Sequence, residues 1–140
     1  PEVHLGIDPE FSMKTKARPG TVIGSFSAAD VNYAANYLAK LVRENDLPPK
    51  VLVIHRFTKG MVTGYKQITP LPEVQIVMDM DGWGPPAKKK GTYQQVITSE
   101  PVQFAGFKLF YVHDQKPPGR LLTPAEVFTL NPKPIFIQYQ

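Results

Sequence analysis

The chain has 140 residues, the size of one domain and well below the roughly 200 to 250 residues that a closed eight-stranded β/α barrel needs. With 42% hydrophobic and 20% charged residues it reads as a globular protein, and no apolar run approaches the ~18 residues of a helical membrane span. The absence of cysteine excludes thiol catalysis, thiolate metal sites and disulfides, and the net charge of +4 is not organised into the basic, aromatic-interleaved stripe of a nucleic-acid binder.

The chain opens at Pro1-Glu2 with neither a methionine nor a charged leader, which is the start expected of the carboxyl-terminal portion of a longer protein. Residues 1–140 read as a single domain, since no interdomain linker, repeat or low-complexity tract interrupts them. The first apolar run, Val3 to Ile7, predicts a strand and leads into Asp8-Pro9-Glu10. The clearest helix follows, with Val31, Ala34, Ala35, Leu38, Leu41 and Val42 on one face. Ser27 and Asp30 form its capping box, Phe26 is placed to staple onto Val31, and Pro48-Pro49 stops it.

Val51 to Ile54 is continuous in apolar residues, as a strand covered on both faces should be, and ends at His55-Arg56. Met61 to Ile68 carries only a weak helical pattern. A third strand, Val74 to Met78, delivers Asp79, Met80, Asp81 and Gly82. Lys88, Lys89 and Lys90 then sit in a Pro/Gly-rich connection and read as a solvated loop. Gly91 to Thr98 predicts an amphipathic helix with Tyr93, Val96 and Ile97 inward. Phe107 to Val112 is the fourth strand, ending at His113-Asp114. Thr123-Pro124-Ala125-Glu126 opens a short helix that stops near Asn131-Pro132, and Ile135 to Ile137 is a fifth strand leading into Gln138. The 15 prolines are concentrated in the connections, which predicts rigid loops.

Strands alternating with helices imply a parallel α/β architecture. At this length the expected fold is a partial, half TIM-like β/α barrel, with a flavodoxin-like open sheet as the alternative. A partial barrel exposes two sheet edges, and a homodimer is the simplest way to cover them.

In a parallel sheet the carboxyl ends of the strands converge on one ligand-binding rim. Asp8, Glu10, Asp79 and Asp81 are therefore the candidate catalytic acids, and glycoside hydrolysis, which needs one protonated and one ionised carboxyl, is the chemistry they suit. His55, Arg56, Lys108, Tyr111, His113, Asp114 and Gln138 are candidate ligand contacts, and Trp83 is a candidate stacking platform for a sugar ring. A divalent cation is compatible with this donor set without being demanded by it, which also admits a metal-assisted hydrolase. The bland reading has the acids capping loops and the histidines bonded to backbone. Asp79-Met80-Asp81-Gly82 resembles the start of a calcium loop, but the later acids of that motif are missing. No phosphate-binding glycine loop and no nucleophile elbow is present.

Five stretches taken together, Gly6 to Phe11, Ile23-Gly24-Ser25 to Asn32, Leu47 through Phe57, Met78 to Gly82 and Pro132 to Gln140, resemble the carboxyl-terminal part of a family of uncharacterised bacterial secreted proteins and lipoproteins. The resemblance implies an extracytoplasmic setting in the cell envelope or beyond it, and implies no activity. Where that family carries further acids after the fourth strand, this chain has Val112-His113-Asp114. Two functions follow as expectations. One is a hydrolase-like site for a glycan or another small polar ligand, and the alternative is a non-catalytic binding or structural module of the envelope.

Overall fold

The computed structural model describes residues 3–140; Pro1 and Glu2, the opening noted above, lie outside the described residues. Seven strands are formed among the described residues: β1 (Leu5–Ile7), β2 (Phe26–Ser27), β3 (Lys50–Arg56), β4 (Val62–Thr63), β5 (Val74–Met80), β6 (Phe104–Leu109) and β7 (Phe136–Tyr139). The helices are α1 (Ala28–Glu44), α2 (Pro86–Tyr93) and α3 (Pro124–Val127). β1, β3, β5, β6 and β7 form one all-parallel sheet in that spatial order, curled into half of a barrel, while β2 and β4 pair separately. The flavodoxin-like order places the second strand outside the first and reverses direction. Here strand order and chain order coincide, as in a β/α barrel.

One face of the sheet carries the core. Leu52, Ile54, Ile76, Met78, Met80, Ala105, Phe107 and Leu109 pack with Val31, Ala35 and Leu38 of α1 and with Tyr93, Val96 and Ile97. Alternation along the strands sends Val53, His55, Val77, Asp79, Gly106 and Lys108 to the opposite, concave face. Both β3 and β5 run two residues past the ends of their apolar runs. Register continues through His55↔Asp79 and Arg56↔Met80, because backbone pairing extends wherever the neighbouring strand does, whatever the side chains.

β6 starts three residues earlier than the apolar run suggests, and Tyr111 and Val112 fall in the exposed turn that follows it. The cause is Gly106, a weak strand former in isolation, which the fold requires: a Cβ there would come within 2.6 Å of Asp79 Oδ1. The three lysines are not a solvated loop. They lie on α2, which begins at Pro86 and continues into a single π-helical turn, Gln94–Thr98. Met61 to Ile68 contains two 3-10 turns and β4 in place of a helix.

The capping box of α1 is formed as expected. The Ser27 amide donates to Asp30 Oδ2 at 2.7 Å, and the Asp30 amide donates to Ser27 Oγ at 3.3 Å. A bond from Lys14, with those from Ser27, holds the Asp30 carboxyl down at about 2 against an ordinary 3.8. A depressed carboxyl contributes stability that is present above its unfolded value and lost as pH falls through the folded one. Replacing Asp30 by alanine is therefore expected to cost about 1 kcal/mol at neutral pH, a deficit that closes between about pH 4 and pH 2. Urea unfolding of both proteins across that range measures it, and a deficit independent of pH would refute the capping role.

Candidate functional site

Four sequence positions converge on the concave face at the carboxyl ends of β1, β3 and β5. His55 and Asp79 are register neighbours within the sheet, Asp81 lies one residue beyond β5, and Asp8 one residue beyond β1. Asp8 stands at the start of a short 3-10 turn, Pro9–Phe11, yet its side chain makes no capping bond, so its carboxylate faces other work. Glu10 belongs to the same turn. From β6 comes Lys108, whose ammonium sits 3.1 Å from Asp81 Oδ1.

The centre of the cluster is His55 Nδ1, 3.2 Å from Asp79 Oδ2 and 3.3 Å from Asp81 Oδ2. Neither contact has hydrogen-bond geometry. Among the described residues Nδ1 and both Asp79 oxygens are buried without a bonded partner. Burial acts against a charged His55 ring, but contact with Asp79 and the charges of Asp79, Asp81 and Asp8 outweigh it and hold the ring's pKa above its ordinary value. Burial also raises Asp81, against the pull of Lys108, and it raises Glu10 together with the like charges of Asp8 and Asp81. The cluster thus gathers more negative charge than its two cations balance comfortably.

Beside it opens a cavity of about 540 Å³, lined by Asp8, Glu10 and Asp81, by Lys88 and Lys108, and by Phe11, Phe57, Trp83 and Phe110. Half of the Trp83 surface is exposed, with the Lys88 ammonium 4.9 Å from its ring centre. An aromatic wall carrying a few convergent polar groups is the usual lining of a small-molecule pocket.

The loops around the cavity are held by a buried ion pair. Lys89, fully buried on α2, donates to the carbonyls of Gly82 at 2.8 Å and Lys108 at 2.7 Å and lies 2.9 Å from Asp114 Oδ2. Asp114 accepts in turn from the amides of Gly84 and Phe110. Burial pushes the Lys89 ammonium down, and Asp114 pulls it back.

Not every predicted contact reaches the cavity. Arg56 is turned to the core side, fully buried, and donates to the carbonyls of Thr58, Lys59, Val62 and Val96 and to the Glu100 carboxylate. Its guanidinium is structural, because strand alternation places it opposite His55. Asp114 is likewise consumed by Lys89 and two amides. Tyr111 stacks on Tyr139, with ring centres 5.5 Å apart, and does not line the cavity. His113 stands behind Trp83 at 5.6 Å, and Gln138 pairs in register with Lys108 without lining the cavity.

Sequence reasoning missed Phe11, Phe57 and Phe110, although each follows a strand-end charge by only a few residues, and it missed Lys88 and Lys89 by reading them as loop. No helix among the described residues is long and apolar enough to cross a membrane. No family model, curated protein or solved structure matches the chain.

Proposed function

We propose that the cavity is a hydrolase-like carbohydrate site, in which carboxylates supply acid and base on a glycan stacked against Trp83. The observation that supports it is the presence of three carboxyl groups and a half-exposed tryptophan in one cavity at the carboxyl ends of parallel strands. The three acids occupy unequal surroundings: Asp8 is exposed, Glu10 is half-buried, and Asp81 is tied to Lys108. Such inequality is what divides two carboxyls into acid and base. Glu10 is the proton donor in this reading. Its proton goes to the glycosidic oxygen as the bond to the anomeric carbon breaks, water adds to that carbon, and the water's proton passes to a neighbouring carboxylate. The extracytoplasmic setting rests on the resemblance alone and belongs to the same proposal.

Release of reducing ends from a panel of soluble glycans tests it. Glu10→Gln is expected to lower kcat by about 100-fold or more, and Trp83→Ala to raise KM with a smaller change in kcat. The clamp of Lys108 on Asp81 favours a second reading, a binding module without turnover. Glycan binding that persists in Glu10→Gln with no cleavage by the wild type would select that module and sink the hydrolase.

A further inference from the structure

Asp79 is left without a role by acid–base chemistry in the cavity. It is 0% exposed, neither of its oxygens accepts a hydrogen bond among the described residues, and it does not line the cavity. A bare carboxylate in such a place is strongly disfavoured unless a positive charge stands against it. Oδ2 is directed at His55 Nδ1, and that nitrogen is equally close to a second anion, Asp81. The Lys108 ammonium stands 3.1 Å from the other oxygen of Asp81, and among the described residues it makes no ion pair with Asp79.

Three possible ligand groups stand close together beside Asp79. One donor atom from each of Asp8, His55 and Asp81 lies within 4.8 Å of the others. The 3.3 Å between His55 Nδ1 and Asp81 Oδ2 is close to the roughly 3.4 Å that separates two ligands of a tetrahedral ion with bonds near 2.1 Å. Asp8 is exposed and its side chain makes no capping bond in its own turn. The three ligands come from the ends of three neighbouring strands, so the sheet fixes their spacing.

We infer that Asp8, His55 and Asp81 bind a divalent transition-metal ion, Zn2+ or Mn2+, with the buried Asp79 carboxylate supplying the balancing charge. An imidazole among the ligands favours Zn2+ over Ca2+ and Mg2+, which take oxygen shells, and the two carboxylates are what would admit Mn2+. Three protein ligands leave a position for water or a ligand hydroxyl facing the cavity. The site goes beyond the hydrolytic reading and does not need it, because ion binding is measured without any glycan.

Protein stripped with a chelator and titrated calorimetrically with Zn2+, Mn2+ or Ca2+ is expected to take up one equivalent of Zn2+ or Mn2+ and to bind Ca2+ at least about 10-fold more weakly. Saturation is expected to raise Tm by about 5 °C or more. His55→Gln and Asp81→Asn should abolish the uptake, Asp79→Asn should weaken it about 10-fold, and Glu44→Gln on the far surface should leave it unchanged. In the wild type, nitrogen NMR should show the His55 ring shifting on Zn2+ addition while His4 and His113 stay in place, a readout independent of whether any variant folds. No uptake by the stripped wild type, or uptake with an unmoved His55 ring, would overturn the site. One bound ion with no glycan cleaved would sink the hydrolase and leave the ion site standing. Cleavage untouched by chelator, in a protein that takes up no ion, would do the reverse.

Discussion

Replacing Arg56 by alanine is expected to cost about 4 kcal/mol or more of folding stability, lowering Tm by roughly 10 °C or more. The side chain is fully buried on the core face of β3 and gathers four backbone carbonyls and the Glu100 carboxylate around one planar cation. Truncation removes the guanidinium from all five acceptors at once: the carbonyls of Thr58 and Lys59 keep amide donors from Met61 and Val62, those of Val62 and Val96 lose a buried cationic donor, and among the described residues Glu100 keeps Lys59, 3.5 Å away, as its counter-charge. Arg56→Lys should recover only part of the loss, since an ammonium offers three donors where these acceptors are arranged around a fork. Guanidinium denaturation of the three proteins measures the series. If Arg56→Ala fell within 1 kcal/mol of the wild type, the network would be ornamental. Whatever glycan or ion affinity the wild type has should be unchanged per folded molecule in Arg56→Lys, because this residue faces away from the cavity.

The second large effect is expected at Lys89. Lys89→Met retains the volume but removes the one cation that, among the described residues, pairs with Asp114, leaving a fully buried carboxylate whose remaining partners there are two amides. Breaking a buried pair from one side typically costs about 3 to 5 kcal/mol. Removing both charges, as in Lys89→Met with Asp114→Leu, should return much of that, and the difference between the single and double variants is the diagnostic. Because Lys89 ties the Gly82 carbonyl to that of Lys108, the single variant should also raise amide exchange in residues 82–84 and 110–114 more than elsewhere. Uniform exchange would mean that the pair stabilises the fold without holding the rim.

Much of the architecture was legible because its elements carry strong local signals. The α1 capping box, the period of its buried face and the apolar runs of β3 and β5 each specify one structure. What misled was the assumption that a strand ends where hydrophobicity ends. His55 and Asp79 are polar because they face the concave side, and the ladder runs on beneath them. That error mattered for Arg56: in a loop after the strand it could have reached the rim, but within the strand alternation turns it inward. Gly106 hid the start of β6 for a related reason. Its value comes from the space it leaves for Asp79, a long-range fact that no local propensity encodes. Lys89 shows the same limit, since a lysine between two lysines looks solvated until an aspartate 25 positions later, Asp114, is found against it.

A sheet wound in one direction has a growth rule. Since each new strand joins beside its predecessor, a further β/α unit preceding β1 or following β7 would extend the sheet without disturbing any existing pair. The carboxyl ends of the added strands would fall on the same rim, so enlargement would deepen the cavity's wall and leave the Asp8, His55 and Asp81 cluster where it is. A doubly wound sheet, whose ligand crevice depends on the point where winding reverses, lacks this freedom. In this topology the chemistry is set by adjacent strand ends, and the number of strands is an independent variable.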